Sequence, residues 1–133
     1  MILLDSSFVI AFYSELDNNH KQARELMKRI AAKEYGDLFI SDYVIDEVST
    51  VIMKRLGVKT VTRICKELLN AAYLVNIDDD MFYKTFDIFQ KQRGTTLSFT
   101  DCSNIAIIEE KGIRNLAAFD SDFKHFARIS TVP

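Results

Sequence analysis

Four short apolar runs, Ile2–Leu4, Leu38–Ile40, Tyr73–Ile77 and Leu116–Phe119, recur along the chain with stretches of helical periodicity between them. Strands alternating with helices in this way build βαβ units, which close into a mostly parallel sheet with helices on both faces. A run that is apolar throughout, rather than at every second residue, fits a strand buried from both sides. The 133 residues suffice for one core, and residues 1–133 are read as a single domain.

The intervening segments carry their own start and stop signals. Ser6 and Ser7 open a short helix over Phe8–Tyr13. Asn18 and Asn19 are cap candidates for a helix to about Lys33, with Ala23, Leu26, Met27 and Ile30 inward and Gly36-Asp37 as its end. Ser41 or Asp42 caps a helix with Val44, Val48, Val51 and Ile52 at helical spacing, ended by Gly57. A helix over about Lys59–Asn70 turns Val61, Ile64, Cys65, Leu68 and Leu69 inward. Another starts at Asp78–Asp80 and closes at Gly94, and its Phe82, Phe86 and Phe89 form an aromatic stripe that reads as core. The last runs from Ser98–Thr100 to Lys111, with Gly112 as its stop.

Composition narrows the function classes. With 48% hydrophobic and 27% charged residues the chain is globular, and no apolar run reaches the roughly 18 residues of a membrane span. Met1–Asp5 lacks the features of a secretory signal, so the cytoplasm is the expected address. Cys65 and Cys102 have no metal-ligand spacing and read as buried thiols. A net charge of −2 argues against broad, non-specific nucleic-acid binding, except where phosphate is met through bound cations.

The chemistry lies in carboxylates. Two of the runs stop at an aspartate, Asp5 and Asp120, and the ligand crevice of an open parallel sheet lies beyond the carboxyl ends of its strands. Glu47 falls about 60° from Val44 and about 40° from Val51 around its helix, at the edge of the buried stripe. Asp101 precedes Ile105 and Ile108 by four and seven residues, which aligns it with the inward face of its helix, in the first turn. Each has a structural reading too: Asp5 as a helix cap, Ser98-Phe-Thr-Asp101 as a capping box, Glu47 as an exposed residue, Asp120-Ser-Asp122 as a turn. The functional reading rests on all four pointing to one crevice. Two carboxylates about 5 Å apart repel by roughly 3 kcal/mol at an effective dielectric near 20. No lysine or arginine in the four local motifs offsets this. An all-oxygen, acid-rich set selects a hard divalent cation, Mg²⁺ or Mn²⁺.

The stretches Met-Ile-Leu-Leu-Asp5-Ser-Ser, Ser-Asp-Tyr-Val-Ile-Asp-Glu47-Val, Leu-Ser-Phe-Thr-Asp101-Cys and Leu-Ala-Ala-Phe-Asp120-Ser-Asp-Phe resemble the successive acidic motifs of PIN domains, most closely the VapC-type toxin nucleases of prokaryotic toxin–antitoxin pairs. The resemblance spans nearly the whole chain. It implies a three-layer α/β/α sandwich around a mostly parallel sheet of four to five strands, and a ribonuclease active on single-stranded or structured RNA. It further implies a metal-binding quartet of Asp5, Glu47, Asp101 and Asp120 with Asp122 as an auxiliary acid, a cognate antitoxin protein and a homodimer. Ala118 stands where such domains often have Thr or Ser, so the orienting hydroxyls expected here are those of Ser6 and Thr100. Arg93, beside Gly94, is the candidate substrate contact. Lys54, Arg55, Lys59 and Arg63 read as a solvated face, and His20 and His125 as surface residues, which favours metal over histidine chemistry. The competing readings are a housekeeping RNA-processing nuclease, a mainly partner-binding domain and a phosphatase-like domain.

Overall fold

A computed structural model describes residues 1–126 and 129–133. Its described residues form five strands, β1 (Ile2–Leu4), β2 (Leu38–Ser41), β3 (Tyr73–Val75), β4 (Asn115–Ala117) and β5 (Ser130–Val132). They also form six helices, α1 (Ser6–Tyr13), α2 (His20–Ala31), α3 (Asp42–Leu56), α4 (Val58–Ala71), α5 (Asp79–Lys91) and α6 (Phe99–Lys111). All strand pairings are parallel, in the order β3-β2-β1-β4-β5.

Alternation along β1 sorts the core into two layers. Ile2 and Leu4 face Phe8, Leu26, Val48 and Ile64 of α1 to α4, while Leu3 faces Cys102, Ile105 and Ile107 of α6 and Phe123. The result is the expected α/β/α sandwich. Helix α6 is buried continuously from Cys102 to Ile108. Such a helix shows no amphipathic stripe, because it has no solvent face over that stretch.

Local signals set most element ends. Ser41 accepts from Val44 N at 3.1 Å to cap α3, and Asp78 accepts from Met81 N at 2.9 Å to cap α5. Gly57 turns the chain from α3 to α4 with φ at 82°, and Gly112 ends α6 in the left-handed region.

Several expectations need correction: β3 stops at Val75 rather than Ile77 and, as an edge strand, leaves Tyr73 and Leu74 exposed, while Cys65 is only half-buried. Strand β4 stops at Ala117 rather than Phe119, because beyond Ala118 the backbone turns to Ser7, whose Oγ accepts from Phe119 N at 3.1 Å. Leu69 points outward at 44% exposure. The aromatic stripe is not core: Phe82, Phe86 and Phe89 are 41%, 46% and 40% exposed, and α5 packs instead through Met81, Thr85 and Ile88. Those two rows lie one residue, about 100°, apart on the same helix. The fifth strand, with half-open Thr131 and Val132, carries no apolar run that marks it in advance.

Candidate active site

Strand order reverses beside β1: the chain lays β2 and β3 on one side, then returns to lay β4 and β5 on the other. Asp5 follows β1 directly, its N–H bonded to Ala117 O at 3.0 Å, so it stands at the mouth of this switch point. That is where an open parallel sheet leaves a crevice.

Asp5 is fully buried, and its carboxylate is held from both ends. Ser7 donates its N–H (2.9 Å) and its hydroxyl to Oδ2, and Asn104 donates Nδ2 to Oδ1 at 2.9 Å. Burial pushes the Asp5 carboxyl up to about 7, against the Ser7 bonds, with repulsion from Asp101 and then Glu47 adding to the rise. The Asp101 carboxyl is likewise raised by burial, opposed by Ser98 and reinforced by the charge of Asp120. The four acids from β1, α3, α6 and the β4 end therefore act on one another electrostatically. Among the described residues none of them joins an ion pair.

Three of the acids also perform the structural roles their motifs allow. Asp5 caps α1. Asp101 closes a capping box with Ser98, accepting from Ser98 N at 2.7 Å, and Asp120 accepts from Asp122 N at 2.8 Å to start the 3-10 turn Ser121–His125. With the carboxylates turned to these amides, no three acidic, His or Cys side chains of the described residues already stand as a closed cage. The donor set nonetheless fits a hard cation: it is all-oxygen, mutually repulsive and without a basic partner.

The other expected residues divide. Asp122 gives one carboxylate oxygen to the backbone, accepting from Thr96 N at 2.8 Å and fastening the 92–98 loop. Gln92 clamps the same loop, accepting from Leu97 N at 2.9 Å and donating to Leu97 O at 3.1 Å. Arg93 projects from it into solvent. The hydroxyl that reaches Asp5 belongs to Ser7, with Ser6 buried beside it. The Thr100 carbonyl accepts from Ser103 at 2.6 Å. His20 lies half-buried with Nδ1 at 2.8 Å from Ala11 O, remote in role from the acids, and Arg63 is engaged by Glu67 at 2.6 Å. Both cysteines are free. Ser7 and Asn104 were not anticipated. A signal for Asn104 existed: it is an amide three residues after Asp101, in a stretch from Cys102 to Ile108 whose only other polar side chain is the hydroxyl of Ser103.

Residues 2–129 match the PIN domain family model, and the chain belongs to the PIN domain family. Among its relatives is the 23S rRNA-specific endonuclease VapC20 of Mycobacterium tuberculosis, 27% identical over 124 residues and 92% of each chain. The crystal structure of VapC20, described as a sarcin–ricin loop cleaving toxin, superposes with a TM-score of 0.85 at 25% identity over the full length of both chains. A toxin–antitoxin complex from Klebsiella pneumoniae shares the fold, with a TM-score of 0.71 at 19% identity over 98% of this chain and 97% of that one. No helix among the described residues is long and apolar enough to cross a membrane.

Proposed function

We propose that this chain is a Mg²⁺- or Mn²⁺-dependent ribonuclease, the toxin of a toxin–antitoxin pair acting in the cytoplasm. The observation that carries the reading is the buried Asp5 carboxyl, pushed up to about 7 by burial with the charges of Asp101 and Glu47 adding to the rise, and paired to no cationic side chain among the described residues. Asp5, Glu47, Asp101 and Asp120 would hold the ion, with Asp122 auxiliary to it through the oxygen not given to Thr96. Bound there, a divalent cation supplies activation of water and neutralises charge gathering on the phosphate in the transition state. The chain's own part is positional: Ser7 and Asn104 fix Asp5, and Ser98 fixes Asp101. Arg93, on the clamped loop ahead of α6, is suited to meet a phosphate of the RNA.

Relatedness to VapC20 makes ribosomal RNA a substrate to try beside single-stranded RNA. An antitoxin fits the same chemistry, since a basic side chain inserted among the acids would relieve their repulsion. The test is incubation of both RNAs with purified protein and Mn²⁺ or Mg²⁺. Cleavage that stops with chelator and is absent in Asp101→Asn is expected, whereas cleavage unaffected by chelator contradicts the reading.

We propose further that the chain pairs with a second copy through the outer face of α5. Phe82 and Phe89 lean on Phe99 with centroids at 5.3 and 5.6 Å, and Tyr43 reaches Phe99 at 6.2 Å. The neighbouring Lys84 and Lys91 are neutralised by Glu110 and Asp87. A face that is aromatic but not basic suits an apolar partner better than a polyanion.

A further inference from the structure

Asn104 is wholly buried, yet its Oδ1 has no hydrogen-bond partner among the described residues. A buried acceptor left unmade is destabilising, and buried amides are normally satisfied at both ends. With Asp5 ionised, as in a metal ligand, the amide cannot improve matters by flipping, because its Oδ1 would then face the carboxylate, acceptor against acceptor. As a core residue Asn104 is therefore a poor choice, and its side chain serves one bond, Nδ2 to Asp5 Oδ1 at 2.9 Å.

That bond decides which part of Asp5 remains free. Oδ2 already accepts from the N–H and the hydroxyl of Ser7, which fills both of its lone pairs. Oδ1 accepts once, from Asn104, and keeps one lone pair. The open coordination direction of Asp5 is thus on Oδ1, and its heading is set by how Asn104 holds that oxygen.

We infer that Asn104 is a positioning residue, which orients Asp5 as a one-oxygen ligand through Oδ1. The inference rests on the metal reading above and adds to it a residue in α6 whose one side-chain hydrogen bond among the described residues goes to the ligand. Outer hydrogen-bond partners of metal ligands characteristically change affinity by 10- to 100-fold when removed. Asn104→Leu keeps the size and removes both the donor and the orphaned acceptor. The loss in stability and the loss in metal affinity are thereby separated.

The experiment is titration of the intact protein with Mn²⁺, following the free ion by electron paramagnetic resonance, beside thermal melts without metal. Asn104→Leu exchanges the orphaned amide oxygen for an Asp5 Oδ1 that has lost its donor, so it is expected to melt close to the wild-type temperature, and to bind Mn²⁺ about 10-fold or more weakly. Thr85→Val, which removes another buried hydroxyl, at 2.8 Å from Met81 O in α5, is expected to leave the affinity unchanged. Should Asn104→Leu not fold, Asn104→Met serves instead. Unchanged Mn²⁺ affinity in either folded variant overturns the role of Asn104 alone. Wild-type protein binding Mn²⁺ no better than Asp5→Asn overturns the metal reading beneath it.

Discussion

Asp5→Asn is expected to abolish RNA cleavage, by a factor of a thousand or more, and at the same time to make the metal-free protein more stable at pH 8. The two effects share a cause. The Asp5 carboxyl has the ordinary aspartate value of 3.8 in the unfolded chain and about 7 in the folded one, so between those values the folded protein holds a proton that the unfolded chain has released. The stability linked to that proton is complete below about pH 4 and is lost as pH rises through 7. At pH 8 the folded protein carries a buried, repelled carboxylate, a penalty of at most about 4 kcal/mol for a shift of this size. Asparagine removes the charge, and Asn104 can flip so that its unused Oδ1 accepts from the new amide. Thermal melts of metal-free protein from pH 4 to 9 read this directly. The wild type should lose markedly more stability across the range than Asp5→Asn, whose remaining loss comes from the raised Asp101 carboxyl, with a gap of roughly 10 °C at pH 8. Mn²⁺ should close the gap by stabilising the wild type alone. Parallel pH profiles for the two proteins would refute the account of Asp5.

The second large effect concerns assembly. A phenylalanine that is 40–46% exposed can bury about 80 Å² more, worth roughly 2 kcal/mol. Phe82, Phe86 and Phe89 from each of two copies then supply about 12 kcal/mol before the association cost of about 4–15 kcal/mol. The margin is narrow enough that Phe86→Lys with Phe89→Lys, which withdraws four of the six rings and places four ammonium groups in the contact, should split the dimer completely. Both residues are exposed, so the subunit itself should keep its fold. Sedimentation of the wild type at twice the mass of the double variant is the expected result. Equal masses would dismiss the self-association, and equal masses with RNA affinity lost in the variant would reassign the face to base stacking.

The layered fold was readable because each central strand is apolar on both sides and most helices have a capping or stopping residue, as at Ser41, Gly57 and Gly112, although Asn19 makes no side-chain cap on α2. Periodicity was less informative on α5. It groups Phe82, Phe86 and Phe89 on one face correctly, but spacing says nothing about which of two adjacent apolar rows is covered, and α6 takes the row of Met81, Thr85 and Ile88. The carboxylates could be aimed at a crevice from their element ends. Their present hydrogen bonds could not be foreseen in combination, since Asp5 depends on Ser7 beside it and on Asn104 ninety-nine residues away. The burial of α6 on all sides hid Asn104, because an amide in an apolar stretch resembles any polar residue on an open face until the neighbours are known.

The most direct test of the central claim is a crystal soaked in Mn²⁺ and recorded at a wavelength where manganese scatters anomalously. The account predicts a peak at the end of β1, within about 2.0–2.3 Å of Asp5 Oδ1 and bridged to Asp101, with Asp120 or Glu47 completing the set directly or through water. An anomalous map with no peak between Asp5 and Asp101, under soaking conditions in which the same protein cleaves RNA, would contradict it.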